Sequence, residues 1–147
     1  MVSKREIGDK KGEFVTLNNI GALYKNLKQY DSAFAIFTKL SEIADEKNAY
    51  SAYASSRSNM GVCLNSMNQH YHALQILEPL FKNPRTQTVV DVYPVVVFGL
   101  GEAHAGLNNY ATALHFLQTA LTLNFPGAQI EFTAEIHRLL AEMAEKS

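Results

Sequence analysis

Small and apolar residues recur along the chain at a constant interval of 40 residues. Gly21, Gly61 and Gly101 are related by this step, and one further step reaches Ala141. Three more columns follow the same step without a gap: Ile20, Met60, Leu100 and Leu140; Ala33, Ala73 and Ala113; and Phe37, Leu77 and Leu117. Self-similarity at a fixed period of about 20 to 50 residues is typical of stacked-repeat proteins. The pattern therefore predicts an array of similar units.

Within each unit the apolar spacing predicts two helices joined by a short turn. First helices are predicted near 14–27, 49–67 and 88–107, second helices near 30–45, 70–82 and 110–123, and a last helix near 128–146. Residues 89–97 are rich in valine and favour a strand by composition. The repeat register outweighs that preference, so Pro94 is expected to lie near a helix start or to kink the helix.

The three glycines at one register position indicate close contact between helices. A glycine in a helix interior costs about 1 kcal/mol relative to alanine, so its recurrence points to a packing demand. Neither helix of a pair can bury its apolar face alone, and each pair must pack on the next one. The sequence therefore predicts an all-α array that curls into a superhelix.

The register also predicts how the chain is divided. Residues 1–13 are interpreted as the end of a preceding unit or a linker, 14–47 as repeat 1, 54–87 as repeat 2, 94–127 as repeat 3, and 128–147 as the first helix of a fourth unit or a cap. A capping helix needs a polar outer face. Because the last helix keeps Ile136, Leu139, Leu140 and Met143, a fragment of a longer array is favoured over a cap.

The residue order within each unit closely resembles the tetratricopeptide repeat family. In the first unit that order is Ile20, Gly21, Tyr24, Ala33, Phe37 and Leu40. Leu17 stands where the family usually has tryptophan. The resemblance implies a right-handed α-α superhelix, or solenoid, of three helix pairs plus a C-terminal helix, and a role in binding proteins or peptides.

In such a superhelix one face of the first helices lines a groove. The positions rotated away from the packed face are Asn18, Asn19, Ala22, Lys25 and Asn26 in the first unit, Ser55, Ser58, Asn59, Val62 and Asn65 in the second, and Val95, Phe98 and Glu102 in the third. Asparagine carries both a donor and an acceptor, so it can pair with a peptide backbone of any sequence. The sequence therefore predicts a peptide-binding groove, with simply solvated polar positions as the alternative.

The asparagine column sharpens the resemblance. Asn19 and Asn59 are equivalent in the register, and residues 17–20 are similar to the first helices of kinesin light chains and the LGN/Pins family. In those families the asparagines bind peptide main chain. The carboxylate clamp of chaperone-binding repeats is not expected, because the matching positions hold Asn18, Ala22, Asn59, Val95 and Gly99, and no cation is present among them.

Composition and charge narrow the range of partners. The chain has 147 residues, a formal net charge of -1 and 47% hydrophobic residues, which is typical of one ordinary soluble domain and does not favour nucleic acid. The single cysteine, Cys63, excludes an internal disulfide framework and is expected to be a buried thiol. Since no apolar run could span a bilayer and residues 1–5 do not lead into a secretory signal, we expect a cytoplasmic protein without a membrane partner.

The residues that could carry chemistry do not form a recognisable site. The histidines are scattered, at His70, His72, His104, His115 and His137, and the first two are not one helical turn apart as a metal pair requires. His104 falls in a packed column, which indicates a buried, hydrogen-bonded ring. No phosphate loop, carboxylate pair or activated nucleophile is apparent. We therefore expect no enzyme activity, no cofactor and no metal.

Two classes of function remain. The first is a scaffold that binds a protein or peptide in the groove. The second is a sensory or regulatory input, or a dimerisation module, of a larger bacterial-type signalling or transcription protein. The residues after Ser147 of a longer gene product would discriminate between them, since an effector domain there would favour the second class.

The charge distribution predicts a surface for self-association. No Lys or Arg lies between Arg85 and Arg138, and the valine-rich helix in that interval is apolar around its whole circumference. A contiguous exposed apolar patch usually marks an interface. Tyr93, Val97, Phe98, Phe132 and Ile136 are therefore predicted to pack against a second copy or an adjoining repeat. The alternative is an internal helix that its own neighbours cover.

Overall fold

A computed structural model describes residues 4–146, with side chains for residues 12–146. This range contains seven α-helices and no strand: α1 (Lys4–Asn26), α2 (Tyr30–Glu46), α3 (Tyr50–Ser66), α4 (His70–Lys82), α5 (Tyr93–Gly106), α6 (Tyr110–Leu121) and α7 (Gln129–Lys146). A short 3-10 helix, Pro84–Thr88, lies between α4 and α5. The predicted all-α helical repeat solenoid is confirmed.

The helices stack in two rows. The first helices α1, α3, α5 and α7 are neighbours in that order, and each second helix packs between two of them. Thus α2 contacts α1 and α3, α4 contacts α3 and α5, and α6 contacts α5 and α7. Each second helix therefore joins one repeat to the next, which is how a solenoid gains stability from neighbouring units.

The glycine column marks the closest approach within each helix pair. A Cβ atom built on Gly21 would lie 2.7 Å from Phe37 Cζ. The equivalent distance is 2.6 Å from Gly61 to Leu77 Cδ2, and 2.7 Å from Gly101 to Leu117 Cδ2. The alanine column, Ala33, Ala73 and Ala113, is fully buried. The contacts predicted from the 40-residue step are therefore present in all three pairs.

Two helix starts differ from the prediction. Helix α1 begins at Lys4, about ten residues before the predicted start, because Lys, Arg and Glu in this stretch are good helix formers and no proline interrupts them. Residues 4–13, which the sequence analysis interprets as the end of a preceding unit or a linker, are therefore part of α1. Residues 1–3 lie outside the described residues. Helix α5 begins at Tyr93 instead of near residue 88. Pro94 lies in its first turn, where the missing N–H leaves no hydrogen bond unmade.

The connection between α4 and α5 packs against α3. The hydroxyls of Tyr50 and Thr86 are hydrogen-bonded at 2.6 Å. The guanidinium carbon of Arg85 lies 4.2 Å from the centre of the Tyr50 ring, a cation–π distance. These contacts fix the five-residue 3-10 helix, which neither of the other repeats contains within the described range.

The turn inside each helix pair has a left-handed residue at the same register position. Lys28, Asn68 and Asn108 have φ values of 60°, 60° and 64°. The backbone N–H of the next residue reaches back to a carbonyl in the last turn of the first helix, as in Gln69 N to Leu64 O at 2.8 Å. Asparagine tolerates this conformation better than lysine.

Lys28→Asn is therefore expected to stabilise the protein, by about 0.5 kcal/mol, because it places in the first repeat the residue that the other two carry. The urea midpoint measured by circular dichroism should rise. The matched control is Lys39→Asn, an exposed position inside α2. It should lower the free energy of unfolding by about 0.5 kcal/mol through poorer helix propensity, and with it the midpoint. Shifts of the same sign in both variants would contradict the turn assignment.

Candidate binding groove

The name groove face is used here for the predicted groove positions that are exposed or half-buried on the first helices: Asn18, Asn19, Ala22, Lys25, Asn26, Ser55, Asn59, Val62, Val95 and Glu102. The groove face borders a cleft of about 230 Å³ between α1, α2 and α3 that is lined by Phe14, Val15, Asn18, Asn19, Leu40, Ala52 and Ser55. Asn18 and Asn19 are exposed. Two of the predicted groove positions in the first repeat thus border one cleft with Ser55 of the second.

A polar contact joins α1 to α3 further along the same face. Lys25 Nζ donates a hydrogen bond to Asn59 Oδ1 at 3.4 Å, and both side chains are half-buried. This bond uses the oxygen of the Asn59 amide, so its Nδ2 group can donate to a partner on the groove face. The groove face therefore offers amide groups on both helices.

The remaining predicted positions vary in exposure. The exposed or half-buried ones, besides those already described, are Ala22, Asn26, Val62, Val95 and Glu102. These side chains could reach a partner that lies along the groove face. The third repeat contributes mainly Val95 and Glu102, so its part of the face is apolar and acidic where the first repeat is rich in amides.

Three predicted groove residues are not accessible. Ser58, Asn65 and Phe98 are buried, with exposed fractions of 3%, 3% and 6%. Ser58 Oγ donates to the backbone oxygen of Ser55 at 2.9 Å, and Phe98 packs edge-on against Phe132 with ring centres 5.2 Å apart. The prediction that these three face the groove is wrong, because α3, α5 and α7 pack closely enough to cover them.

Asn65 is the centre of a polar network between three helices. Its Nδ2 donates to the Gly99 backbone oxygen in α5 at 3.0 Å. Its Oδ1 lies 2.9 Å from Nδ1 of His70, at the start of α4. The His70 ring also occupies the space beside Gly106, where an added Cβ would lie 2.2 Å from the ring. Asn65 therefore holds the repeats together instead of binding a partner.

A second cleft, of about 330 Å³, opens between α3, α5 and α7. Its polar lining includes Asn65, His70, Glu102, Arg138 and Glu142. Sequence reasoning identified Glu102 and Asn65 but missed the contribution of His70 and of α7. His70 follows Asn65 by five residues, whereas Glu102 and the α7 residues are distant in sequence and are brought to Asn65 by the stacking of the helices.

The carboxyl group of Glu102 is the most perturbed acid in this cleft. Burial and, to a smaller extent, the nearby Glu135 carboxylate raise the pKa of Glu102 to about 7. Arg138 and a hydrogen bond from Asn65 oppose the shift. The carboxyl group therefore changes its charge near neutral pH.

Arg138 is already engaged on its own helix. Its guanidinium forms ion pairs with Glu135, one turn before, and with Glu142, one turn after. The hydrogen bond from Arg138 lowers the pKa of Glu135. Because Arg138 is held by these two acids, it does not fully neutralise Glu102.

The residues predicted for self-association lie in the chain's own core. Val97, Phe98 and Ile136 are buried, and Tyr93 and Phe132 are packed against the same cluster. Helices α6 and α7 cover this side of α5. The premise of an exposed apolar patch is therefore wrong for Val97, Phe98 and Ile136, and the alternative of an internal helix covered by its neighbours describes the structure.

The single cysteine and His104 are also packed. Burial raises the pKa of Cys63 to about 11, so its thiol stays protonated at neutral pH. The His104 ring stacks on Phe116 with ring centres 5.8 Å apart, and its Nδ1 lies 3.5 Å from Nδ2 of Asn109. Burial lowers the pKa of His104. The prediction of a buried thiol is confirmed for Cys63, whereas the His104 ring packs on Phe116 but is only half-buried.

Among the described residues no group of three or more His, Cys, Asp or Glu side chains is placed to hold a metal ion. Across residues 4–146, none of the helices has both the length and the apolar character needed to cross a bilayer.

Comparison with known proteins identifies one repeat directly. Residues 15–47 match the family model described as tetratricopeptide repeat. This segment contains most of α1 and all of α2, and the match supports assignment to a tetratricopeptide repeat family. No curated protein and no solved structure matches the chain.

Proposed function

We propose that the chain binds an extended segment of a partner protein along its groove face. Tetratricopeptide repeats generally mediate interactions between proteins, and residues 15–47 match that family. The observation that carries the proposal is the equivalent pair Asn19 and Asn59, one on each of two neighbouring first helices. Both side chains reach the groove face, where Asn19 is exposed and Asn59 half-buried.

The chemistry of these amides suits a peptide backbone. An extended chain presents N–H and C=O groups on both sides, and an asparagine can pair with either group. Lys25 occupies the Asn59 oxygen, so the Asn59 amide is oriented to donate to a backbone carbonyl. Each neutral hydrogen bond contributes about 1 kcal/mol, which gives affinity without selecting a sequence.

The side chains around the amides would set the preference for a partner. Val15 and Ala22 near the first repeat, and Val62 and Val95 further along, offer small apolar surfaces. Residues 17–20 are similar to the asparagine-bearing first helices of kinesin light chains and the LGN/Pins family, where the asparagines bind peptide main chain. We propose the same mode here, with main-chain pairing to asparagines and shallow apolar contacts beside them.

We propose further that the groove binds its partner without chemical change. The candidate nucleophile, Cys63, is buried and protonated at neutral pH. The His70 ring is hydrogen-bonded to Asn65 and packs beside Gly106. These contacts support a structural role for the Cys63 thiol and the His70 ring, which could otherwise act as a nucleophile and a base.

Display of a random peptide library, selected on the whole chain, tests the groove. Peptides enriched on the parent chain are expected to bind Asn19→Ala/Asn59→Ala about 30-fold more weakly, because two hydrogen bonds of about 1 kcal/mol are lost. Calorimetry measures the dissociation constants, and far-ultraviolet circular dichroism should show unchanged helix content.

The matched control is Gln87→Ala/Gln118→Ala, which removes two exposed amides outside the groove face. It should leave the affinity of the same peptides unchanged. Enriched peptides that bind the asparagine variant as tightly as the parent would overturn the proposed mode of binding.

A further inference from the structure

Helix α1 carries an exposed apolar stripe on a side that neither packs on α2 nor faces the groove. Ile20, Leu23 and Leu27 have exposed fractions of 37%, 59% and 58%. Ile20 and Leu23 are three residues apart and lie on one side of α1. Leu27 directly follows the last helical residue, Asn26, and its backbone N–H donates to Leu23 O at 3.0 Å, which continues the same side. Gly21, which contacts Phe37 of α2, lies on a different side. We call these three residues the α1 stripe.

The same register positions are covered in the other first helices. One 40-residue step from Ile20 and Leu23 leads to Met60 and Cys63 in α3, with exposed fractions of 3% and 0%. A second step leads to Leu100 and Ala103 in α5, at 1% and 0%, and a third leads to Leu140, which is half-buried, and Met143, at 7%, in α7. The equivalents of Leu27 are more open, since Met67 is half-buried and Leu107 has an exposed fraction of 37%.

In α3, α5 and α7, the preceding second helix packs over these positions. Met60 and Cys63 lie in one apolar cluster with residues of α2, Leu100 and Ala103 with residues of α4, and Met143 with residues of α6. The covering helices share one pattern: Ala33, Phe37 and Leu40; Ala73, Leu77 and Leu80; and Ala113, Leu117 and Ala120. These residues are buried at 0 to 4% exposure.

We propose that the α1 stripe is a docking site for an amphipathic helix with this pattern: alanine, a large apolar residue four positions later, and an apolar residue three positions after that. Three contacts of the same design inside the chain define the geometry and the chemistry of the occupant. No helix covers the stripe within the described residues. This site is separate from the groove face and its occupant is a helix, not an extended peptide.

A copy of the chain's own covering helix is the probe. Residues 28–49, which contain α2 and the turn after it, are duplicated and joined directly to Lys10, the register equivalent of Tyr50. The copied helix then meets α1 at the chain spacing with which α2 meets α3. The melting temperature is expected to rise by roughly 5 °C, since covering the stripe buries apolar area.

Three variants of this extended chain separate docking from a non-specific effect. Phe37→Asp in the copied segment alone, or Leu23→Glu in α1, should abolish the rise. Ile130→Glu, which changes an exposed apolar residue of α7, should leave it intact. An extended chain that melts at the parent temperature, or a rise that survives Leu23→Glu, would overturn the proposal.

Light scattering on the unextended chain tests the other occupant, a second copy. A monomer at high concentration supports a foreign helix as the occupant. A dimer that Leu23→Glu converts to a monomer would overturn it, because the stripe would then pair with itself. Neither result depends on binding of a peptide in the groove.

Discussion

Gly61→Leu is expected to destabilise the protein by about 3 kcal/mol, near the upper end of overpacking costs. A Cβ at position 61 would lie 2.6 Å from Cδ2 and 2.7 Å from Cγ of Leu77. Leu77 is fully buried between α3 and α5, and a Cβ at Gly99 would lie 2.7 Å from its Cδ1. The Leu77 side chain therefore has no space to move into. A leucine at position 61 should instead push α3 away from α4.

Urea unfolding followed by circular dichroism measures this loss. The control is Ser66→Leu, which adds the same side chain to the same helix at an exposed position and should cost less than about 0.5 kcal/mol. A Gly61→Leu/Gly99→Leu variant should lose less than the sum of the single losses, since both changes displace the same Leu77 side chain. Equal midpoints for Gly61→Leu and Ser66→Leu would show that the 40-residue register is misassigned.

The fold could be predicted because its main contacts repeat. Gly21, Gly61 and Gly101 stand where a second helix comes closest, so one spacing predicts three interfaces. The extra 3-10 helix before α5 could not be predicted in this way. It occurs once, and its attachment through Thr86 and Tyr50 has no counterpart in another repeat. The valine-rich stretch was correctly predicted as helix from Tyr93 onwards, although its composition favours a strand, but residues 89–92 precede α5.

The groove residues were harder to predict because helical periodicity gives direction but not distance between helices. Asn18 and Asn65 are both rotated away from the packed faces in the sequence pattern. Asn18 is exposed, whereas Asn65 is buried because α3 and α5 pack more closely than α1 and α3 and bring it to the Gly99 carbonyl. The twist between successive repeats decides this, and no local pattern encodes it.

The location of exposed apolar surface shows the same limit. A low density of charge between Arg85 and Arg138 suggested an open apolar face there. The structure covers that face with α6 and α7 and leaves apolar residues exposed on α1 instead, where Leu23 and Leu27 lie. Charge density indicates that a segment is apolar, but the position of the segment in the stack determines which sides its neighbours cover.

Glu102→Gln is expected to make the protein more stable above pH 7. The pKa of the folded-state carboxyl is raised to about 7 from a value of 4.5, so folding favours the neutral form. Below pH 4.5 both the folded and the unfolded chains carry the proton, and the shift costs nothing. As the pH rises from 4.5 to 7 the folded state loses stability, because the unfolded chain ionises more readily.

The size of this effect follows from the shift. The full difference corresponds to an upper limit of about 3 kcal/mol at pH 8. Because the cleft around Glu102 is open to water, we expect about half of that value. Glutamine is neutral at every pH and can still accept a hydrogen bond from Asn65. The variant should therefore not lose this stability as the pH rises. The gap between variant and parent should close as the pH falls to 5.

Denaturant midpoints measured at half-unit steps from pH 5 to pH 9 test this expectation. Glu102 faces Asn65 from α3 and Glu135 and Arg138 from α7, and all three remain in the variant. The control is Glu145→Gln, an exposed acid near the end of α7, whose profile should run parallel to that of the parent. If the Glu102→Gln and parent profiles were also parallel, the carboxyl group would be ionised in the cleft throughout this range. Partner binding near Glu102 would then carry no dependence on pH from this residue.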